Sequence, residues 1–420
     1  MFRKLLSFEE AKSRINEACP LKSLGAEELP LLEAVGRILA QDVASPIDVP
    51  SFNRSTVDGY AVIAEGSFGA GEDNPVVFKL VGKVDVGAPS NLAVEEGAAA
   101  EIVTGAPLPA NADAVVMLEY TREKQGMLFI YRPVSIGENV MLRASDVAKD
   151  ETVLKRGATL HSSQLGLMAA LGFSTVKVFK TVRVAIISTG AEIVEPGRPL
   201  PAGKIYDINT YTLASAIAEI GGQPVIFGIV EDDDDKLLRS TLERAIADAH
   251  IVVTSGSVSV GPKDVVPQIL NKLGNPGIII HGVAVKPGKP VAVAMVRGKL
   301  VFSLPGNPTS SLVIFHLFVR PILLKMMGKQ EYQSPVLRAV TSKRLISARG
   351  RRTFVPVAVD EERNGQLIAS PILPGQSGAI TTLSKADGYV EVRETQQFIE
   401  KGKEVEVFLF RNLREANVIS

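Results

Sequence analysis

Between positions 251 and 266 the chain reads IVVTSGSVSVGPKDVV. An apolar, β-branched run gives way to a loop nearly free of side chains, and a carboxylate then opens an amphipathic stretch. Glycine and serine let backbone N–H groups approach an anion, and a following helix adds its positive end, so Ser255, Gly256, Ser259 and Gly261 suit a phosphate. Asp264 would repel that phosphate unless a cation lay between them, and magnesium is the oxygen-seeking ion that fits. The same turn with its aspartate would also serve as an ordinary helix cap.

Other segments repeat the theme. IISTGAEIV puts Glu192 just past an apolar strand, and GIVEDDDDK does the same with Asp232 and Asp233, although an acidic run is equally the solvated start of a helix. VKPGKPVAV holds Lys286 and Lys289 on one rigid turn. FSLPGNPTSSLV ends a strand at Pro305 and opens a helix with Asn307, Pro308 and Ser310, a second anion-accepting terminus. In the N-terminal half, VPSFNRSTVDGYAV sets Asp58 in a turn that also reads as a hairpin corner. EIVTGAPLP supplies Thr104, and ENVMLRASDVAKD supplies Arg143, Ser145 and Asp146. ARGRRTF adds Arg351, in an arginine cluster that solvation alone would explain, and LPGQSGAITTL adds Ser377.

The elements that must position these residues follow from periodicity. From 182 to 328, β-branched runs alternate with helical periods such as NTYTLASAIAEIGG, DDKLLRSTLERAIA and KDVVPQILNKLG, which predicts a parallel sheet covered on both faces. Ligands of such sheets sit beyond the carboxyl ends of the strands. Residues 335–411 read as short strands divided by turns, a small antiparallel barrel. Residues 54–145 are also strand-rich, between PLLEAVGRILAQDV and SSQLGLMAALG, both of which read as helical. The expected fold class is therefore multidomain α/β and β. It comprises a discontinuous N-terminal module (1–53 and 146–180), an inserted strand-rich domain (54–145), a doubly wound Rossmann-like domain (181–330) and a C-terminal small β-barrel (331–420). Ser7 and Glu10 form a capping box at the first helix.

Composition narrows the function classes. The 420 residues carry 46 basic and 46 acidic side chains, which gives no electrostatic reason for a nucleic-acid or membrane-surface partner. With one cysteine, Cys19, and four histidines, neither an internal disulfide nor a soft-metal centre is expected, as suits a cytoplasmic protein. The most apolar segment, SSLVIFHLFVRPILLKMMG, is interrupted by His316, Arg320, Pro321 and Lys325, and reads as a buried helix rather than a membrane span.

The order of these segments, from VPSFNRSTVDGYAV and IVTGAPLPANADAVVMLE through ISTGAEIV, TSGSVSVGPKD, VKPGKP and LPGNPTSSLV to GQSGA, closely resembles the molybdopterin molybdenumtransferase family, which includes the E domain of gephyrin. The likeness spans nearly the whole chain. It implies transfer of molybdenum from molybdate to the dithiolene of adenylylated molybdopterin, with magnesium assisting and AMP released. It also implies an elongated homodimer, with the site in a cleft between the Rossmann-like domain of one subunit and the inserted domain of the other, and molybdopterin adenylyltransferase as a further candidate partner. Carried over position by position, the catalytic residues are Asp58, Thr104, Asp146, Glu192, Asp232 or its neighbour Asp233, and Asp264. The magnesium set is Asp58, Glu192, Asp232 and Asp264. Substrate contacts fall to Ser255, Gly256, Ser259, Gly261, Lys286, Lys289, Pro305, Asn307, Pro308, Ser310, Arg351 and Ser377. Tungsten insertion by the same route, adenylylation of molybdopterin by the central domain, and a non-catalytic pterin-binding scaffold are the alternatives. The chain departs from the family pattern at Val57 for methionine, Ala144-Ser145 for Gly-Glu, Ala191 for aspartate and Ser257 for glycine. A positive φ at Ser257 would cost on the order of 1 kcal/mol.

Overall fold

The computed structural model describes residues 5–18, 22–87, 91–231, 234–258, 265–329, 334–372 and 380–410. The chain forms two compact units, one of residues 1–29, 36–40 and 177–420 and the other of residues 30–35 and 41–176. The first helix, α1 (Phe8–Ala18), belongs to the larger unit and begins with the expected capping box. The Ser7 N–H donates to Glu10 Oε2 at 2.7 Å and the Glu10 N–H to Ser7 Oγ at 3.2 Å.

The smaller unit is built on a six-stranded sheet of β1 (Gly59–Val62), β2 (Val76–Val84), β3 (Ala98–Ile102), β4 (Ala114–Met117), β5 (Thr121–Lys124) and β6 (Met127–Ile130), in the order β4-β1-β3-β2-β6-β5. Side chains alternate across it. Tyr60 and Val62 pack with Phe78, Leu128 and Ile130 on one face, and Ala61 with Val84, Ile102 and Val115 on the other. Asp58-Gly59 is not a hairpin corner. Arg54–Ser55 pairs with Val140–Met141, whereas β1 pairs with β3 and β4, and glycine is needed at 59 because a Cβ there would lie 1.9 Å from the Val116 carbonyl oxygen. The helix expected over PLLEAVGRILAQDV does not form. Only Leu31–Ala34 make a 3-10 turn; Val35 is extended, Gly36 takes φ +74°, and Leu39 bridges to Val178. With Leu32 and Val35 exposed, the apolar residues of this stretch lie on no single helical stripe. The helix expected from Ser162 forms as α2 (Ser162–Ala170).

In the larger unit the strands β7 (Arg183–Thr189), β8 (Gln223–Val230), β9 (Ile251–Ser255), β10 (Gly277–His281), β12 (Ala292–Val296) and β13 (Lys299–Leu304) make a sheet in the order β8-β7-β9-β13-β12-β10. A two-residue strand, β11 (Val285–Lys286), lies outside it. The first four strands are parallel; β12 alone runs against them, since it pairs antiparallel with both β13 and β10. A two-residue turn, Arg297 (φ 50°) and Gly298 (φ 75°), reverses the chain between β12 and β13, the mirror-image turn that hairpins favour. Ile186, Val253 and Phe302 face α1, α3 (Asn209–Glu219) and α6 (Pro308–Ile314). Ala185, Val252 and Val301 face α4 (Asp235–Asp248) and α5 (Val265–Leu273). Beyond α6 a π-helical turn, Phe315–Val319, leads into α7 (Arg320–Met326). Pro308–Met326 is apolar enough to cross a bilayer, yet 72% of it is buried within the protein, as a core helix would be. His316 in its π turn is driven down to a pKa of about 3, first by burial and then by the Arg320 charge.

The C-terminal strands β14 (Val336–Thr341), β15 (Arg352–Glu361), β16 (Leu367–Pro371), β17 (Gly388–Val392) and β18 (Glu404–Leu409) follow the order β15-β16-β14-β18-β17, and β15 also pairs with β17, so the sheet closes into a small barrel. One of its pairings, β14 with β16, is parallel rather than antiparallel. The strand β11 lies parallel to β15, which joins the barrel to the segment carrying Lys286.

Candidate functional site

Two concentrations of polar chemistry occur in the larger unit. The first lies at the carboxyl edge of the parallel strands. β9 is wholly buried, yet it ends in Thr254 and Ser255, and Ser303 lies beside Thr254 in β13. Gly256 follows with φ +100°, where a Cβ would sit 2.1 Å from the Thr189 carbonyl oxygen. Its N–H donates to the Leu304 carbonyl at 3.2 Å, and a Cβ on Gly306 would meet Gly256 Cα at 3.6 Å, so the loops after β9 and β13 touch. Pro305 between them is buried. At the end of β7, Gly190 has φ +149°, and the exposed Glu192 folds back so that a Cβ on Gly190 would meet its Oε2 at 2.6 Å. Ser257 adopts φ 48°, a left-handed conformation that carries a cost of about 1 kcal/mol.

Two residues that sequence reading did not single out complete this edge. Asp207 is buried; it accepts the Thr210 N–H at 3.1 Å and the Thr210 hydroxyl at 2.6 Å, and that hydroxyl lies 2.9 Å from Ser188 Oγ. Asn209 is 6% exposed, and its Nδ2 donates both to Ser255 Oγ and to the Gly306 carbonyl, each at 2.7 Å. The signal was the Asp-x-Asn-Thr that opens α3. It reads as routine helix capping, and nothing in the sequence announced that it would be buried against two other strand ends.

The second concentration surrounds the KPG turn. The Ala284 N–H donates to the Leu6 carbonyl at 2.8 Å and the Arg352 N–H to the Ala284 carbonyl at 3.0 Å, so the turn hangs between the N-terminal segment and the barrel. Parallel register sets Lys286 beside Thr353, two residues beyond Arg351. Gly288 (φ +97°) presses on α6, where a Cβ would meet Ile314 Cγ1 at 2.3 Å and the Ser310 carbonyl at 3.7 Å. Lys286, Ser310 and Arg351 are thereby gathered around one turn, with Lys286 exposed and Ser310 buried. Lys289 is half-buried, and its carbonyl accepts the N–H groups of Val283 and Val291 at 3.1 and 3.0 Å. Asn307 occupies the N-cap position of α6 without a side-chain capping hydrogen bond, and Pro308 lies in the first turn, where the helix was expected to open. The neighbouring Arg352 is occupied structurally, by Glu9, Glu391 and Glu394.

In the smaller unit, Asp58 Oδ1 accepts the Thr104 N–H at 2.6 Å and the Thr104 hydroxyl at 2.9 Å. The N–H and then the hydroxyl hold this exposed carboxyl below the usual carboxylate range. Its Oδ2 has no hydrogen-bond partner among the described residues. The turn at 142–146 lies close by in the chain's own pairing, since the Arg143 N–H donates to Asn53 Oδ1 at 2.8 Å and the Asp146 N–H to the Val49 carbonyl at 3.0 Å. Ala144 takes φ 60° there. The Arg143 guanidinium binds Asp48 at 2.6 Å; the Lys149 N–H and then Arg143 lower the Asp48 pKa. Sequence reading missed Asp48, which carries no motif of its own.

Asp232, Ser259, Gly261, Asp264 and Ser377 lie outside the described residues. Asp234 caps α4, its side chain accepting the Leu237 N–H at 2.9 Å. Among the described residues no three His, Cys, Asp or Glu side chains gather into a metal-binding group.

The comparisons agree with this architecture. Residues 6–172 match the model of the MoeA N-terminal region (domains I and II), residues 185–325 a probable molybdopterin binding domain, and residues 338–410 the MoeA C-terminal region (domain IV). A putative molybdopterin biosynthesis protein of Methanocaldococcus jannaschii is 34% identical over 412 residues, covering 96% of each chain. Molybdopterin molybdenumtransferase 2 of Mycobacterium tuberculosis is 35% identical over 384 residues, covering 90% of this chain and 94% of the relative. The crystal structure of the molybdopterin biosynthesis MoeA protein of Pyrococcus horikoshii superposes with a TM-score of 0.83 at 40% identity, covering 97% of this chain and 100% of that one. The chain therefore belongs to the MoeA family of molybdopterin molybdenumtransferases, enzymes of molybdenum cofactor biosynthesis.

Proposed function

We propose that the protein moves molybdenum from molybdate onto the dithiolene of adenylylated molybdopterin and releases AMP. The observation that carries this reading is the pair of anion-suited sites on one unit. A glycine loop at the sheet edge approaches phosphate through its backbone, and a separate turn gathers Lys286, Ser310 and Arg351 as a doubly charged oxyanion requires. Two anionic reactants need two such places. Ser255, Gly256, Pro305, Asn307 and Pro308 line the first, with Ser259 and Gly261 assigned to the same loop. Lys286, Lys289, Ser310 and Arg351 form the second, with Ser377.

Magnesium fits the donor set. The Thr104 N–H and hydroxyl hold the Asp58 carboxyl below the usual carboxylate range with Oδ2 open, Glu192 is exposed beside a glycine, and both offer the hard oxygen that this ion prefers. Asp232 and Asp264 complete the proposed ligands, and Asp146 is assigned to the site with them. When bound, the ion would offset the negative charge of the departing AMP. Thr104 orients Asp58, and the backbone around Gly256 orients the phosphates. The same reading takes the protein as a cytoplasmic homodimer, with molybdopterin adenylyltransferase as the protein that hands on the substrate.

The decisive test incubates purified protein with adenylylated molybdopterin, magnesium and either molybdate or tungstate, and measures AMP release and bound metal. Release with incorporation of one oxyanion supports the reading and names the metal; no release with either rejects it. Asp264→Ala is expected to abolish insertion while the far-ultraviolet circular dichroism stays that of wild type, and wild-type turnover in that variant removes Asp264 from the site.

A further inference from the structure

Asn209 stands at the start of α3, 6% exposed, with its side chain reaching two different strand ends. Its Nδ2 gives one proton to Ser255 Oγ, where β9 ends, and one to the Gly306 carbonyl in the loop after β13. Because a carbonyl can only accept, the amide's orientation is settled: the nitrogen faces the loops, and both its protons are used. Oδ1 is then left buried without a hydrogen-bond partner among the described residues. A buried, unsatisfied acceptor is costly and rare in a folded protein. Asp207, Thr210 and Ser188 close their own network alongside, while the hydroxyls of Thr254 and Ser303 at the neighbouring strand ends likewise have no hydrogen-bond partner among the described residues.

We propose that Asn209 both straps the two ligand loops together and presents Oδ1 to a nitrogen–hydrogen donor of the bound substrate. The strap explains why both protons are spent on loop atoms. The open acceptor supplies a means of recognising a nitrogen heterocycle rather than its phosphates. Adenylylated molybdopterin carries such donors on two rings, the pterin and the adenine, and the test separates them. No residue of another type keeps both functions: aspartate retains an acceptor but loses both donors and sets a charge against the Gly306 carbonyl, and alanine loses everything.

The inference rests on the reading given under Proposed function, so wild-type AMP release is measured first. Calorimetric titration then compares wild type, Asn209→Ala and Asn209→Asp in two arms, one with AMP and one with molybdopterin, alongside a melting curve for each protein. Asn209→Ala is expected to weaken at least one arm tenfold or more, and the arm affected identifies the ring. Asn209→Asp should fall between alanine and wild type in that arm. Molybdate affinity, which depends on the Lys286 turn, should change less than threefold in both. If the alanine variant does not fold, the aspartate variant carries the comparison. Wild-type affinity in both arms overturns the assignment, and so does a lowered melting temperature without a loss of affinity, because a purely structural strap would give that result. Wild-type protein that releases AMP while its variants bind normally defeats the Asn209 assignment alone; wild-type protein that releases no AMP with either oxyanion defeats the broader reading.

Discussion

Gly256→Ala is the substitution that the geometry of the sheet edge constrains most tightly. The added methyl would lie 2.1 Å from the Thr189 carbonyl oxygen and 3.0 Å from its hydroxyl, in a backbone at φ +100°. Placing an L-residue in left-handed backbone costs about 1–2 kcal/mol. Relieving the overlap means moving the end of β7 or the loop after β9 by roughly 1 Å, a form of overpacking that costs about 1–3 kcal/mol more. The total, about 2–5 kcal/mol, corresponds to a fall in melting temperature on the order of 5–15 °C. Gly306→Ala is the matched control, because its methyl would meet Gly256 Cα at an ordinary 3.6 Å and no positive φ is imposed on it. Melting followed by far-ultraviolet circular dichroism suits a chain without tryptophan. AMP release reports whether the displaced loop still receives its phosphate, and it should be lost in Gly256→Ala and largely kept in Gly306→Ala. If Gly256→Ala melts with wild type and turns over normally, the close approach is wrong, and with it the reason for glycine at this position.

Thr104→Val removes one of the two donors to Asp58, so the Asp58 pKa should rise yet stay below the ordinary value, because the Thr104 N–H, the larger cause, remains; carbon NMR of the carboxyl checks this. With a folded pKa below the unfolded one, this contact stabilises the fold above the ordinary carboxylate pKa and is lost as the pH falls through the lowered value. His316, driven from 6.5 to about 3, acts by the same linkage: the unfolded chain takes up its proton first, so stability is complete above about pH 7 and falls on acidification, by about 2 kcal/mol at pH 5. His316→Leu should shrink the difference in urea-unfolding free energy between pH 8 and pH 5 by that amount, and an undiminished difference would show that the histidine is not the cause. Lys286→Ala should weaken molybdate binding at least tenfold in a direct titration, and unchanged affinity would take this lysine out of the oxyanion site. Ser257→Gly and Ala144→Gly each trade left-handed strain of about 1–2 kcal/mol against the entropy of a freer unfolded chain, and should raise stability by about 0.5–1 kcal/mol in denaturant titrations.

What could be read from the sequence was whatever depends on short-range pattern. The Ser7–Glu10 box, the helices α2 to α5 and the barrel strands follow from local periodicity and capping, and they formed where expected. The failures have a common cause. PLLEAVGRILAQDV has helical composition but is drawn into extended pairing by a partner far along the chain, Val178 for Leu39, and no local preference encodes that. The reversed direction of β12 was decided by a two-residue turn, Arg297-Gly298, whose dipeptide carries less signal than Asn-Gly would. Lys286 and Arg351 were each visible as basic residues, but their common location depends on a parallel pairing of β11 with β15 across more than sixty intervening positions. Asp207 and Asn209 were invisible for the same reason, since their burial comes from contacts with Ser188, Ser255 and Gly306.

The strand β9 shows how core and site share one element. Ile251 and Val253 complete the packing beneath α1, α3 and α6, and Val252 that beneath α5; then Thr254 and Ser255, equally buried, are polar. Burial without apolarity is expensive unless something meets the hydrogen bonds of such groups. Ser255 is met by Asn209 and Ser188 by Thr210, whereas the hydroxyls of Thr254 and Ser303 have no hydrogen-bond partner among the described residues. The next residues then adopt backbone that side chains disfavour, Gly256 at φ +100° and Ser257 at φ 48°. Ser257 is informative because the family pattern has glycine there. The chain has given up the residue that makes the conformation cheap and has kept the conformation, as it has at Ala144 with φ 60°. Strain retained after the side chain has changed marks backbone shape as the constrained property at both turns, and a loop that works by aiming N–H groups depends on that property.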